Sequence, residues 1–404
     1  MDTQTAARTL TFTRTIQAAP SVVYIAFTNS TLMHSWFSNT ARVDARENGV
    51  WLAGWNMGFY AAGVFTQLKQ DEHITYTWQG RGDPGETQVD IHLEQQGDAT
   101  LLTVTHSGLG EGEAWDQRAD LFAENWEAGL DNLVSVLETG LDQRVMRRPM
   151  LGIYPNGALD AATAQTLGVP VTQGIHLGGV VPGMGAEAAG LGQDDVIVTM
   201  DGKPTFDFQS FTAVIDTHQA GDTVPLEFYR GAEKHTTEMT LSGRSVPQVP
   251  ATPEALAAHA HEEHTKLDAE LDDLLQGITE AEADHRPAPS EWNIKENLAH
   301  LIWSQRWLQF WIFGLNGGDG NVAWPDNGPL HLLPALAVYP TAAALVAELK
   351  RAEAATEAVL AALPPELLAR KALYTNVSMS VDGFVQHTQG HLAQMSQALE
   401  SARS

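Results

Sequence analysis

The alternation of hydrophobic and polar residues changes twice along the chain and divides it into three blocks. Up to about residue 140 the period is two, which is typical of half-buried strands, and one helical segment closes the block. The strand segments are TLTFTRTI, GVWLAGW, HITYTWQG, TQVDIHLEQQ and TLLTVTHSG, and the helical segment is ENWEAGLDNLVSVLETG. This pattern predicts a sheet with a long C-terminal helix.

The second block, from Met150 to about Ser242, has short strand segments separated by glycines and one helical segment, FDFQSFTAVIDTHQ. The sequences LDQRVMRRP before it and GRSVPQVPATP after it contain prolines and lack periodicity, as linkers do. Four helical segments follow, which predicts an antiparallel four-helix bundle. We therefore expect a multidomain α+β protein with domains at residues 1–142, 148–243 and 254–404.

Composition narrows the list of partners. The formal net charge of -27 disfavours nucleic acid and anionic membrane surfaces as partners, because both attract Lys and Arg. The chain has no cysteine, so a metal site must use nitrogen and oxygen ligands. The first residues lack the apolar stretch of a signal peptide, and no apolar run has the length of a membrane span, so we expect a cytoplasmic protein.

Aromatic residues are concentrated in the first block, where they either line a cavity for an apolar ligand or simply pack between sheet and helix. The segments TRTIQAAPSVVYIAFTNSTLMHSWF, ENGVWLAGW, GVFTQLKQDEHITYTWQG and TLLTVTHSGLGEGEAW resemble the START-like (SRPBCC) superfamily, in its branch of activators of heat-shock-protein ATPase. The resemblance implies a helix-grip fold with a hydrophobic cavity that binds a small apolar ligand or a partner protein. The candidate pocket residues are Trp36, Trp51, Trp55, Phe65, Trp78 and Trp126. We expect His34, His73 and His106 to be structural or solvated, with no catalytic set in this block.

The second block resembles a PDZ domain of the HtrA-like type, through its Leu-Gly-Ile sequence, the AGLGQDDVI turn and the Asp-Gly pair that follows. In such a domain a loop and an exposed strand edge bind the C-terminus of a peptide or protein. The alternative is a spacer without a ligand. By the family pattern the peptide-binding residues are Met150, Leu151, Gly152 and Ile153 in the loop, and Phe211, Val214 and Ile215 on the helix.

In the third block His387 and His391 lie four residues apart, so that one helix presents both rings on the same face. His300 lies in an apolar run of another predicted helix, where a neutral imidazole needs a partner. If these two helices pack together, the three rings can converge on a metal. The alternative is a buried cluster of hydrogen-bonded histidines.

The same segments resemble the DinB-like family of four-helix bundles. The residues that match are Ser290-Glu291-Trp292, His300-Leu301 and the set His387, His391 and Gln394. The resemblance implies a divalent metal, zinc or nickel, and in some members the activation of a low-molecular-weight thiol. We expect His259, His261 and His264 to lie on a solvated first turn and Asp382 to cap the last helix.

Two functions follow from these features. One is a multidomain binding protein with an apolar pocket, a peptide groove and a three-histidine metal site. The other is a metal-dependent thiol transferase or isomerase centred on the same three histidines. Metal content and thiol-dependent turnover discriminate between them.

Overall fold

The structure is a computed structural model, and it describes residues 8–289, 291–317 and 328–404. The chain divides into two compact units. One comprises Met1–Leu141 together with Pro247–Ser404, and the other comprises Asp142–Val246. The first and third blocks of the sequence therefore belong to one unit, and the second block is inserted between them. The domain boundaries given above stay a prediction.

The first part of the larger unit is a seven-stranded antiparallel sheet in the order β1-β7-β6-β5-β4-β3-β2. A long helix, α3, packs its face of Phe122, Trp126, Leu130 and Leu133 into the core of this sheet. This is the helix-grip arrangement, which confirms the predicted fold class. The elements are β1 Arg8–Ile16, α1 Pro20–Thr28, α2 Ser30–Trp36, β2 Thr40–Val43, β3 Val50–Gly54, β4 Tyr60–Lys69, β5 His73–Gly80, β6 Thr87–Gln96, β7 Ala99–Leu109 and α3 Glu113–Thr139.

The last part of the larger unit is a helical bundle. Its four long helices contact one another in a closed ring, α8 with α12, α12 with α10, α10 with α14 and α14 with α8. The second and fourth long helices, α10 and α14, are therefore neighbours. The elements are α8 Pro253–Leu274, α9 Glu280–Ala283, α10 Ile294–Gly317, α11 Leu333–Val338, α12 Ala342–Ala361, α13 Pro365–Ala369 and α14 Lys371–Arg403.

The helix-grip domain and the bundle share buried apolar residues. Leu32 of α2 is buried in a cluster that otherwise consists of bundle residues, and Ala372 of α14 is buried in the core of the sheet. Between them, Gly140 ends α3 in the left-handed conformation with φ of +79°, and Lys371 donates a hydrogen bond to the carbonyl of Glu138. These contacts pack the two modules against each other, with one residue of each buried in the core of the other.

The inserted unit is a small sheet in the order β13-β12-β10-β9-β8, with β11 paired to β10. Asp207 caps its helix α7 in a reciprocal pair of hydrogen bonds with Ser210. Strand β8 pairs with β9 alone among the described residues, so its second edge has no strand partner. The elements are α4 Gln143–Met146, β8 Ile153–Ala158, α5 Ala161–Leu167, β9 Ile175–Val180, α6 Gly185–Ala188, β10 Val196–Met200, β11 Lys203–Pro204, α7 Phe208–Ile215, β12 Thr223–Arg230 and β13 Glu233–Thr240.

Within the described residues, no single helix combines the length and the apolar character that crossing a membrane requires. One bent pair, Pro329–Val338 with Ala342–Ala361, meets the requirement by length and composition, and its two parts form an angle of 107°.

Candidate metal centre

Three histidines from two helices converge inside the bundle. His300 lies on α10, and His387 and His391 lie one turn apart on α14. The Nε2 atom of His387 is 3.1 Å from Nε2 of His300 and 3.1 Å from Nε2 of His391. Each residue offers a ligand nitrogen, and the three nitrogens all lie within 4.8 Å of one another. The structure thus brings together the three residues that the sequence singles out.

The start of α10 explains why His300 points into the bundle. The side chain of Asn293 accepts a hydrogen bond from the Glu296 amide at 2.8 Å, and Glu296 accepts one from the Asn293 amide at 2.9 Å. This reciprocal cap sets where the helix begins. Asn297, His300 and Ser304 then follow on one face of the helix at spacings of three and four, and all three are buried.

Asn297 determines which nitrogen of His391 carries the proton. The Asn297 Nδ2 group donates to the carbonyl of Asn293 at 2.9 Å, so the amide oxygen faces the other way. That oxygen lies 2.7 Å from Nδ1 of His391. Because an amide oxygen only accepts, Nδ1 must donate, and the neutral ring keeps a lone pair on Nε2. His391 is therefore oriented as a metal ligand.

A similar chain of hydrogen bonds orients His300. Nδ1 of His331 is hydrogen-bonded to the carbonyl of Gly328, which only accepts, so the neutral His331 ring has its lone pair on Nε2. That atom lies 2.9 Å from Nδ1 of His300. Nδ1 of His300 must then donate, and its Nε2 also presents a lone pair to the centre.

His387 completes the centre, and it differs from the other two ligands. Its Nδ1 atom is buried and has no hydrogen-bond partner in the part of the chain that the structure describes. Its Nε2 atom faces two lone pairs at 3.1 Å. Three lone pairs at such distances repel one another, so either a proton on Nε2 of His387 or a cation must lie between them.

Burial keeps these rings neutral near pH 7. It lowers the pKa of His300 to about 3, with a further lowering by the neighbouring histidines. Burial likewise lowers the pKa of His391 to about 4, and it lowers the pKa of His387. A neutral imidazole is the form that binds a metal, so the lone pairs are available at physiological pH.

The arrangement fits a tetrahedral metal. Nitrogens at about 2.0–2.1 Å from zinc in a tetrahedral site lie ~3.3 Å from one another. The two Nε2 distances of 3.1 Å are close to this value, so little movement of the rings would be needed. Three protein ligands leave one position of a four-coordinate metal open.

A cavity of about 580 Å³ lies against the three rings. Trp292 forms one wall and stacks on His391, with ring centroids 6.0 Å apart and an interplanar angle of 14°. Glu291, Gln394 and Gln397 supply its polar lining. The open side of the three-histidine centre therefore faces a space with room for a small polar molecule. Ser290, which the DinB-like pattern includes, lies outside the described residues.

Sequence reasoning missed Asn297 and His331. An asparagine three residues before a histidine in an apolar run was a usable signal for Asn297, since a buried amide needs a partner. His331 had no such signal, because it lies between helices and reaches His300 only through the tertiary fold.

The other bundle histidines differ in part from the expectation of a solvated first turn. His264 is buried, and its Nδ1 atom lies 2.8 Å from a carboxylate oxygen of Glu357 on α12. His259 is paired with Asp382 at 2.8 Å. Asp382 is not the cap of the last helix, because α14 begins at Lys371 and Asp382 lies in its interior. The expectation was wrong for His264, which other helices bury, whereas His261 is exposed as expected. The cap assigned to Asp382 was wrong because the helix extends eleven residues further toward the N-terminus.

The peptide-binding residues predicted in the inserted unit lie at the edge strand and in the core. Gly152 has φ of +79°, and a side chain there would collide with Met184, since an added Cβ would lie 2.2 Å from the Cβ of Met184. Ile153 begins the edge strand β8 and packs against the core. Met150 bridges to Ser242. The buried members of the set are Leu151, Phe211, Val214 and Ile215.

The candidate pocket residues of the helix-grip domain form a packed group of rings. Trp51 and Trp78 have centroids 5.1 Å apart, and Trp78 and Trp126 have centroids 6.3 Å apart. Trp36 and Phe65 are almost fully buried, and Trp55 is half-buried. The indole nitrogens of the five tryptophans donate hydrogen bonds to protein acceptors at 2.8–3.1 Å; the donors are Trp36, Trp51, Trp55, Trp78 and Trp126. The apolar ligand of this domain stays a prediction.

His106 and His73 of this domain have partners that sequence reasoning did not identify. His106 is buried, accepts a hydrogen bond from Trp126 at Nδ1 and lies 2.7 Å from the hydroxyl of Thr87. Nε2 of His73 on β5 lies 2.9 Å from one carboxylate oxygen of Asp90 on the neighbouring strand β6, and Nε2 of His92 on β6 lies 2.9 Å from the other. His34 is exposed. His106 is thus a structural residue of the core.

Fold and site together define a multidomain α+β protein with a candidate metal centre in a helical bundle. Three family models match the chain in the predicted order. They are the Activator of Hsp90 ATPase homolog 1-like protein at residues 17–138, the PDZ domain at residues 149–241 and the DinB superfamily at residues 263–395. The chain therefore carries an Hsp90-activator-like domain, a PDZ domain and a DinB-superfamily domain.

Two curated bacterial proteins are similar to part of the chain. A probable periplasmic serine protease, do/HhoA-like, of Haemophilus influenzae is 30% identical over 169 residues, which are 42% of this chain and 34% of the relative. The periplasmic pH-dependent serine endoprotease DegQ of Escherichia coli is 28% identical over 138 residues, 34% of this chain and 30% of the relative. The chain spans about a third of the length of these relatives, and they support the PDZ domain.

Solved structures resemble about a third of the chain. CalU16 from Micromonospora echinospora is 26% identical, covers 31% of this chain and 73% of its own, and has a TM-score of 0.27. An HSP90 activator from Plasmodium falciparum is 20% identical, with coverages of 32% and 95% and a TM-score of 0.27. The Aha1 dimer from Colwellia psychrerythraea is 21% identical, with coverages of 32% and 96% and a TM-score of 0.29.

Proposed function

We propose that the protein is a multidomain binding protein whose bundle holds one divalent metal through His300, His387 and His391. One observation carries this proposal. The hydrogen bonds from His391 to Asn297 and from His300 to His331 leave both Nε2 lone pairs directed at Nε2 of His387. A buried histidine cluster that served stability alone would instead pair each lone pair with a close donor of its own, whereas the Ser304 hydroxyl, 3.5 Å from Nε2 of His300, is at the outer limit of a hydrogen bond.

The ligand set supports zinc or nickel. Three neutral imidazoles favour borderline transition metals over magnesium or calcium, which prefer oxygen ligands. When bound, such a metal would act as a Lewis acid and lower the pKa of a water or thiol at its open position. The protein's own part is to hold three rings in fixed tautomers and to keep the centre largely out of bulk water.

The other two domains serve recognition. The second edge of β8 supports the binding of a peptide or protein C-terminus by strand addition. The helix-grip domain would bind a small apolar ligand among its aromatic rings. We place the protein in the cytoplasm, away from nucleic acids and membranes, in keeping with its charge of -27.

A second candidate function is the transfer or isomerisation of a substrate on a low-molecular-weight thiol. The cavity of about 580 Å³ beside the three rings favours it, because Gln394, Gln397 and Glu291 can hold the polar groups of a small thiol. The metal and the cavity are common to both candidates. The two candidate functions differ in whether a thiol bound in this cavity reacts.

Metal content tests the three-histidine metal site, which both candidate functions share. Purified protein should hold one Zn²⁺ or Ni²⁺ per chain after equilibration and dialysis, and the bound metal should raise Tm. The variant His387→Ala should lose both effects, whereas the control His259→Ala, a histidine of α8 outside the centre, should keep them. Wild-type protein that takes up neither metal under these conditions would refute the proposal.

Turnover separates the two candidates. Free cysteine and monochlorobimane serve as thiol and electrophile, and the new S–C bond forms as chloride leaves and the thiol proton passes to buffer. A rate above background with wild-type protein, absent in His387→Ala, would establish the transferase. Stoichiometric metal without turnover supports the binding protein.

Peptide capture has its own test. A library of fluorescent peptides with free C-terminal carboxylates should yield ligands that bind the full-length chain. The same peptides with amidated C-termini should bind at least about tenfold more weakly, because the loop and strand edge recognise the carboxylate. Equal binding of both sets would contradict a PDZ-type groove.

A further inference from the structure

A second hollow in the bundle shares a residue with the three-histidine centre. This cleft has a volume of about 540 Å³ and lies between α10 and α14. Its apolar lining comes from Trp311, Met379 and Phe384, and none of its described lining residues carries a charged side chain. His387 lines both this cleft and the cavity of about 580 Å³.

His387 connects the cleft to the metal-binding position. Its Nε2 atom faces His300 and His391, while its Nδ1 atom is buried and has no hydrogen-bond partner in the described part of the chain. The ring therefore has one nitrogen in the centre and the other available for a hydrogen bond. A molecule in the cleft would lie against the same ring that holds the metal.

The cleft is left open by small and apolar residues on α14. Gly383 is in the interior of a 33-residue helix, where glycine is the least favourable residue apart from proline. A Cβ added at Gly383 would meet nothing within 4 Å, so packing does not require a glycine here. Met379, one turn earlier, is 46% exposed. A flexible thioether and an empty position beside it suit an apolar ligand of variable shape.

The far wall of the cleft is aromatic. The ring of Trp311 stacks on Trp307 with centroids 6.2 Å apart, and Phe384 stacks on Trp307 at 6.4 Å. Parallel rings of this kind provide a rigid apolar surface at low cost in conformational entropy. The absence of charge in the described lining disfavours an ionic ligand, since nothing would compensate its desolvation.

We propose that this cleft binds the uncharged aliphatic or aromatic part of a small-molecule substrate, and that the polar reacting end of the same molecule reaches the three-histidine centre past His387. The inference rests on the proposed metal centre and names its substrate class: molecules with one apolar end and one polar end. The cavity lined by Gln394 and Gln397 then accommodates the polar end or a second small polar reactant.

The test uses a neutral apolar dye, N-phenyl-1-naphthylamine, and the full-length chain loaded with Zn²⁺. The variant Gly383→Leu places a side chain in the cleft without contacting the protein around the new Cβ. The control Ala393→Leu adds the same side chain at an exposed position of α14 that lines neither hollow. We expect Gly383→Leu to remove one dye site or weaken it at least tenfold, and Ala393→Leu to bind like wild type.

A second readout measures proximity to the centre. Cu²⁺ quenches a nearby fluorophore and Zn²⁺ does not, so dye in the cleft should lose most of its emission in Cu²⁺-loaded protein. Dye binding that is unchanged in Gly383→Leu, or emission that is the same with both metals, would overturn the proposal. A dimer of wild type that Gly383→Leu dissociates, without any dye site lost, would assign the cleft to a second copy instead.

The two proposals fail separately. Dye binding to the metal-free chain does not depend on the centre, so loss of the metal proposal leaves the Gly383→Leu comparison intact. Metal content of Gly383→Leu at the wild-type value, with circular dichroism unchanged, shows that the variant is folded and that only the cleft is filled.

Discussion

The amide oxygen of Asn297 lies 2.7 Å from Nδ1 of His391, and both residues are buried. The contact joins α10 to α14 and determines the tautomer of a predicted metal ligand. A single side chain thus serves both the packing of the bundle and the chemistry of its centre.

Replacing Asn297 should weaken metal binding without removing a ligand. We expect Asn297→Leu to lower Zn²⁺ affinity by about 10–100-fold, because Nδ1 of His391 loses its acceptor and the tautomer is no longer determined. Asn297→Asp keeps an acceptor and should bind Zn²⁺ at least as well as wild type. Competition with a chromophoric chelator measures both, and equal affinities for all three proteins would contradict the orienting role.

His331 should act on the centre through His300. Nε2 of His331 accepts a hydrogen bond from Nδ1 of His300, so His331→Phe leaves that donor unpaired and allows the other tautomer. We expect a loss of Zn²⁺ affinity of about tenfold or more, with recovery in His331→Gln, whose amide oxygen can accept. The imidazole ¹⁵N shifts of His300 report the tautomer, and unchanged shifts in His331→Phe would show that another group sets it.

The buried His106 should make the protein less stable in acid. Burial lowers the pKa of His106 to about 4, below its ordinary value of 6.5, so between these pH values the unfolded chain takes up a proton that the folded protein does not. The free energy of unfolding should therefore fall as pH drops from 6.5 to 4, by about 3 kcal/mol from this residue. Urea unfolding of His106→Gln should show lower stability at pH 7.5 but a shallower pH dependence. A slope equal to that of wild type would exclude His106 as a source.

Glu353 should destabilise the bundle at alkaline pH. Burial, followed by the nearby carboxylates of Asp268 and Glu357, raises the pKa of Glu353 to about 9, and its Oε2 atom has no hydrogen-bond partner within the described residues. The folded protein keeps a proton that the unfolded chain loses above pH 4.5, so stability falls as pH rises toward 9.

The neutral variant Glu353→Gln removes this dependence. We expect its Tm to exceed that of wild type by a few degrees at pH 8, and the gain to vanish near pH 4.5. The exposed Glu366→Gln on α13 is the control and should change Tm at neither pH. A gain for Glu353→Gln that is equal at both pH values would assign the effect to packing.

Gly140 should be required for the contact between the helix-grip domain and the bundle. An added Cβ would lie 2.4 Å from Oγ1 of Thr375 and 2.9 Å from the carbonyl oxygen of Lys371. Gly140→Ala should therefore cost ~2–4 kcal/mol, whereas Gly97→Ala should cost about 1 kcal/mol. Gly97 is a matched control, because its φ is +64° and its added Cβ would meet nothing within 4 Å. Equal losses in urea unfolding would mean that backbone strain alone is at work.

The sequence predicted the features that depend on local periodicity. The four-residue spacing of His387 and His391 puts both rings on one helix face whatever the helix packs against. The apolar run around His300 likewise indicated a ring directed into the bundle. Convergence of the three rings then required only that α10 and α14 be neighbours, as they are.

The local sequence pattern did not predict helix bounds and side-chain burial where these depend on the packing of helices against one another. Asp382 looked like a cap because the sequence pattern put the start of the last helix close to it, yet α14 begins eleven residues earlier, where Leu373, Tyr374 and Val377 are buried against other helices. His264 looked solvated and is buried, because Glu357 of α12 supplies its partner.

What the sequence by itself determined is therefore which three histidines form the candidate site and the class of each domain, since residue type and helical or strand period are properties of short segments. Only the tertiary structure decided the tautomers, because Asn297 and His331 reach their histidines across helices and loops. It alone decided that the first and third domains pack against each other, since that contact joins residues more than two hundred positions apart, such as Gly140 and Thr375.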